Sequence, residues 1–257
     1  MRIALTRQKL TLLSIFVALV TFLIFVLVKV RNDIVVTQKV LIALRSTNQV
    51  GVVSAAGTNM LLRLEQSAIP ILLRWSSRGR DPGWYKLINP LRKLIKKPPL
   101  RGESWRQKEM ARQAFAILRE RASPAVPQLL SRLFDPDPIV RRISAQMLGA
   151  IGPSMGTQAL HQMTNCLADP DKDVRNDVVW TVQFHRPEEY PVDTLLAVYL
   201  GGLQDSYSVA RQNAMIGLTR MGKKAAPARE SIRKALSDTD SGVKYMAREL
   251  LNAFEQE

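Results

Sequence analysis

Apolar residues fall into two regimes along this chain. From Leu10 to Val28 they follow one another almost without a break, as LTLLSIFVALVTFLIFVLV, with Thr11, Ser14 and Thr21 as the mild polar interruptions. From about residue 104 onward they recur every three or four places, the spacing that lays one apolar stripe along a helix. The first regime predicts a long helix. At 1.5 Å per residue its uncharged run reaches roughly 28 Å, close to the thickness of a hydrocarbon core. The second predicts a series of short amphipathic helices. Between them, residues 34–75 are apolar but broken by Lys39, Arg45 and the polar positions of Val50–Leu62. They predict a continuation of the first helix, an interfacial helix, or packing against the first repeat.

The second half also repeats itself. D-P-D-P-I-V-R begins at Asp135, D-P-D-K-D-V-R at Asp169, D-S-Y-S-V-A-R at Asp205 and D-T-D-S-G-V-K at Asp238, so the starts lie 34, 36 and 33 residues apart. Each copy carries a basic residue six places after its first Asp: Arg141, Arg175, Arg211 and Lys244. An apolar residue stands just before it, and Leu148, Val182, Leu218 or Leu251 seven places after. A fixed period of this size means stacked helical units, each too small to bury its apolar face alone. Asp137, Asp171 and Asp240, with Ser206 in the third copy, sit where a side-chain oxygen would cap the following helix. Gly152-Pro153 and Gly222 mark the ends of two of those helices.

These residues resemble the HEAT repeat family in its short bacterial form, D-x-D-x-x-V-R-x-x-A-x-x-L, over about residues 104–257. The resemblance implies an all-α fold, an α-α superhelix of about four antiparallel helix pairs, and a scaffold for protein partners. It also implies that the Asp–Arg set bonds neighbouring turns and keeps the stack in register. The tetratricopeptide repeat has a similar period, but its Trp, Leu-Gly and Tyr positions are missing. The second copy departs from the pattern, with Val178 and Val179 where small residues are expected.

Charge separates the two regimes further. The chain carries a formal net charge of +15. Residues 1–100 hold 16 lysines and arginines against 3 acids, whereas 101–257 hold 21 against 19. A nearly neutral repeat region with a basic N-terminal part favours a membrane surface over nucleic acid. Lys29 and Arg31 follow the apolar run where a cleavable leader would place small residues, so the expectation is an uncleaved transmembrane helix at 10–28, with a cleaved signal peptide as the rival. A short tail ahead of a long domain places that domain outside the cytoplasm of a single-pass protein of the bacterial inner membrane. Expected boundaries are a tail and anchor over 1–30, a juxtamembrane basic connector over 31–103 and the repeat domain over 104–257. Within the connector, Trp84, Lys86, Arg92, Lys93, Lys96 and Lys97 flank an apolar stripe and form a candidate membrane-surface set. The competing reading is a helix that caps the repeats.

Candidate binding residues follow from helical geometry. If positions three, four and seven after each repeat Arg point inward, positions one, two and five point outward. Arg142, Asn176, Trp180, Gln212 and Tyr245 lead that outward strip, and Arg, Trp and Tyr are the types enriched at interface hot spots. The alternative is an ordinary polar face with Trp180 tucked under a neighbour. Chemistry is hard to place: His161 and His185 lack carboxylates at metal-ligand spacing, and lone Cys166 falls on an apolar stripe. No phosphate loop or nucleophile motif is present. The expectation is a membrane-anchored scaffold that binds a protein partner, without cofactor, metal or catalysis. A membrane-tethered nucleic-acid-binding protein and a HEAT-like enzyme are the alternatives.

Overall fold

The computed structural model describes residues 7–45, 53–77, 85–94, 96–97, 103–183 and 188–255; for 7–15, 85–87, 91 and 103–105 the description covers the backbone alone. Every regular element among these residues is helical. Contacts divide the chain into two units, Met1–Ile71 and Leu72–Glu257.

In the first unit, α1 (Arg7–Arg45) runs unbroken through the apolar run and the mixed segment after it. Its last turns pack against α2 (Ala55–Leu64), whose first turn is capped by Ser54 Oγ accepting from Gly57 N at 3.1 Å. Val40, Ala43, Leu44 and Leu61 are buried, whereas Phe16, Leu19, Phe22, Phe25 and Leu27 are exposed.

Among the described residues, no helix is long and apolar enough to cross a membrane. This corrects the expected transmembrane anchor at 10–28, and with it the inner-membrane location and the extracytoplasmic placement. The physical reason lies in where the charges fall. Lys9 precedes the apolar run and Lys29, Arg31 and Asp33 follow it, all within the single helix α1. Charges therefore stand at both ends of the run inside one helix, which continues to Arg45. The earlier part of the run, 10–15, lies outside the described side chains. Of the membrane-surface set, Trp84 and the Lys86 side chain lie outside the description, Arg92 is half-buried, and Lys93, Lys96 and Lys97 are exposed.

Helix α3 (Ile69–Ser77) crosses the boundary between the units, and α4 (Tyr85–Leu94) carries Pro90 inside it. The repeats occupy α5 (Glu103–Leu118), α6 (Val126–Arg132), α7 (Pro138–Ile151), α8 (Thr157–Asn165), α9 (Lys172–Val182), α10 (Val192–Leu203), α11 (Ser208–Met221), α12 (Arg229–Lys234) and α13 (Ser241–Glu255). They form two layers. Helices α5, α7, α9, α11 and α13 pack in succession in one; α6, α8 and α10 contact one another in the other. Short 3-10 turns join several of the elements. The part of α3 that belongs to this unit meets the first repeat: Arg132 Nη1 donates to Leu73 O at 2.8 Å and Ser76 Oγ at 2.7 Å.

Local chemistry sets the helix limits. Asp137 Oδ1 accepts from Ile139 N, Asp171 Oδ1 from Asp173 N and Val174 N, and Asp240 Oδ1 from Val243 N. The third copy differs. Tyr207 is its N-cap and offers no capping bond, its ring lies 4.1 Å from Lys172 Nζ, and Ser206 Oγ instead accepts from Arg175 Nη2 at 3.3 Å. Gly152 ends α7 at φ +74°, a conformation that costs glycine little.

The bulky Val178 and Val179 of the second copy are both fully buried. Space for Val179 comes from Gly202 on α10, where an added Cβ would sit 2.9 Å from Val179 Cγ2. The same device recurs at Gly217 on α11, where a Cβ would come within 2.2 Å of the buried Tyr199 ring. Gly217→Ala should therefore destabilise by about 2 kcal/mol, although alanine is the better helix former. A chemical denaturation midpoint equal to or above wild type would contradict this packing.

Candidate protein-binding face

Positions three and four after each repeat Arg turn inward: Ser144 and Ala145, Val178 and Val179, and Ala214 and Met215 are all buried. Two sets of polar side chains remain outside this core, and they do different things.

The first set is the Asp–Arg ladder. Arg141 Nε and Nη2 donate to Asp169 Oδ2 and Oδ1 at 2.7 and 2.8 Å. Arg175 does the same to Asp205 at 2.7 and 3.0 Å, and Arg211 to Asp238 at 2.7 and 2.7 Å. Each Nη1 also reaches back to its own turn, at Asp135 O, Asp169 O and Asp205 O. Each of these acids closes its own turn as well, accepting from Asp171 N, Tyr207 N or Asp240 N. One carboxylate thus fixes a turn and receives the fork of the preceding repeat. Burial pushes the Asp169 and Asp205 carboxyls up, but the guanidinium and backbone donors outweigh it and hold both below the ordinary value. For Asp238 the Arg211 bond is the leading cause of the same lowering.

The second set is the outward strip, and its members bond from helix to helix. Arg142 Nε donates to Asp177 Oδ2 at 2.8 Å, and Gln146 Nε2 to the same oxygen at 2.9 Å. Asn213 Nδ2 donates to Asn176 Oδ1 at 2.9 Å, and Gln212 Nε2 to Asp240 Oδ1 at 2.9 Å. Arg142, Asn176, Trp180 and Gln212 are each half-buried, and Tyr245 is 63% exposed. The structure therefore lines up all five sequence-predicted residues on successive helices of one layer. It also shows what spacing alone did not: position two after the Arg faces the neighbouring helix, so Asp177 and Asn213 are buried. Their residue types gave no warning of it, since a carboxylate and an amide are what a solvent-facing position would also carry.

A cleft of about 310 Å³ opens at the first end of the strip, between α5 and α7. Arg142, Ile143 and Gln146 form one wall; Lys108, Glu109 and Arg112 form the other, with Ile139 at the edge. The contribution of α5 was not read from the sequence, because that helix precedes the first full copy of the repeat and carries no Asp–Arg marker.

Residues 101–183 match the family model of HEAT repeats. The cleft and the first two rungs of the strip lie inside the matched HEAT stretch. No curated protein matches the chain. Among solved structures, a designed armadillo repeat protein in complex with the peptide (KR)4 is 19% identical, with a TM-score of 0.46, covering 77% of this chain and 98% of that one.

The remaining candidates for chemistry are placed as follows. His161 Nε2 lies 3.2 Å from Thr194 Oγ1, and His185 falls outside the described residues. Cys166 is buried, and burial pushes its thiol up to about 11, so it is protonated at neutral pH and a poor nucleophile. Among the described residues, no group of three or more His, Cys, Asp or Glu side chains is placed to hold a metal ion.

Proposed function

We propose that this chain is a repeat scaffold that binds a protein partner along the strip formed by α5, α7, α9, α11 and α13. The observation that carries the reading is the alignment of Arg142, Asn176, Trp180, Gln212 and Tyr245 on successive helices, with a cleft at one end. Bonds between neighbouring helices fix much of this strip before any partner arrives. Fixed side chains lose little entropy on binding, so the same contacts give tighter association. Trp180 sits at the centre of the row, half-buried, where a partner would complete its burial.

The test is a photo-crosslinking residue at position 180 of the full chain, compared with one at the exposed Gln158 on α8. A discrete adduct from position 180, absent from position 158 and reduced severalfold by Tyr245→Ala, is the expected result. Equal adducts from both positions would remove the strip as the binding face.

A further inference from the structure

We infer that α1 pairs in parallel with α1 of a second copy of this chain. This goes beyond the binding strip, which lies in the other unit. The observation is an exposed seam. Written as heptads, α1 places Val20, Leu27 and Ile34 at position a and Phe16, Leu23 and Val30 at position d. Phe16, Leu23, Leu27, Val30 and Ile34 are each at least half exposed, and Val20 more than one-third. The seam runs on through Thr37 and Leu41, and the Thr37 hydroxyl is already used, donating to Asp33 O at 2.6 Å. Every other heptad register on this helix meets Lys29, Arg31, Asp33 or Lys39 before it reaches Leu41. A line of apolar residues at a mean spacing of 3.5, with the charges falling beside it, is the pattern by which helices wind together.

The charges decide what covers this seam. Beyond Val28 they enter the helix, yet the seam continues through Val30 and Ile34. A partner helix needs only that one line kept apolar. The same charges set its direction. An antiparallel partner over Phe16–Ile34 would lay Lys29 and Arg31 beside Thr21 and Leu19 of the other copy, stripping water from two cations. In a parallel pair each turn meets its own counterpart, and the exposed Lys29 and Arg31 stay in solvent. Val20 and Ile34, β-branched at position a, favour two strands. The seam with its flanking Leu19 and Ile24 leaves roughly 800 Å² open on each helix, the share that one partner gives to a stable interface. An exposed apolar surface of this size marks a place of association.

Light scattering on the full chain as it leaves a size-exclusion column, in buffer without detergent, tests this. The expected mass is twice that of the 28.9 kDa chain. Leu23→Glu/Leu27→Glu sets carboxylates into the seam and should weaken pairing by about a hundredfold or more. Both positions are exposed in the single chain, so the variant keeps its helix, with circular dichroism as the check. Phe22→Glu/Phe25→Glu removes more apolar surface from the same helix but away from the seam, and should leave the mass at two chains. Direction is read by mild oxidation of Phe16→Cys and of Ile34→Cys, each of which should link to its own counterpart; Cys166 is buried and stays in the background. The inference fails if the wild-type mass is that of one chain, if the seam pair leaves association intact, or if the off-seam pair abolishes it equally. Linkage in neither cysteine variant, or only when the two are mixed, would overturn the parallel arrangement.

Discussion

Arg175→Ala should lower the melting temperature of the full chain by about 10 °C, while adduct formation at position 180 persists. The side chain lies in the middle of the ladder and is mostly buried, as is its partner Asp205. Its removal deletes two charge-assisted bonds to Asp205 and one to Asp169 O. It also leaves the Asp205 carboxylate without its guanidinium in a poorly solvated turn. Breaking a buried pair from one side costs about 3–4 kcal/mol, and a domain of this size loses about 2–4 °C per kcal/mol. The double variant Arg175→Ala/Asp205→Ala should cost less than the sum of the singles, because each single leaves an unmatched group that the pair removes together. Additive losses would show that the two side chains act independently and that the ladder does not carry inter-repeat register.

The ladder also predicts how stability responds to acid. Asp169, Asp205 and Asp238 are held below the ordinary carboxylate value, so their contribution is complete above that value and fades as pH falls through their lowered ones.

The ladder was readable in the sequence because an Asp and a basic residue recur six apart in every copy, a pattern whose resemblance to the HEAT repeat family implies bonds between neighbouring turns. The inward positions were readable for the same reason, and Val178 and Val179 fit because Gly202, distant in sequence, makes room. Periodicity was silent where the pattern is broken. Helix α5 lacks the marker, so half of the cleft was invisible, and Asp177 looked solvent-facing because helical spacing alone says nothing of a neighbouring helix. The expected anchor fails because an uninterrupted apolar run need not be a self-contained helix. The helix that forms continues through Lys29, Arg31 and Asp33 to Arg45.

Arg142→Ala should destabilise the chain by about 3 kcal/mol at neutral pH, and this loss should shrink as the solution is acidified. The guanidinium is itself only partly buried, but its partner Asp177 is 5% exposed. Burial is the main influence on that carboxyl and leaves it above the ordinary value, although Arg142 and Gln146 both oppose the rise. Without Arg142, a buried anion keeps one amide donor and loses its counter-charge, and the raised value climbs further. A carboxyl that titrates higher in the folded state than in the unfolded one destabilises the fold when ionised. That penalty is relieved as pH drops through the folded value and is gone below the unfolded one. Wild type and variant should therefore converge in acid, even as both lose the ladder. Adding Asp177→Asn should recover most of the neutral-pH loss, since an amide can take the Gln146 bond without a charge to neutralise. A pH-independent difference, or no recovery in the double variant, would mean that Arg142 stabilises through packing of its stem.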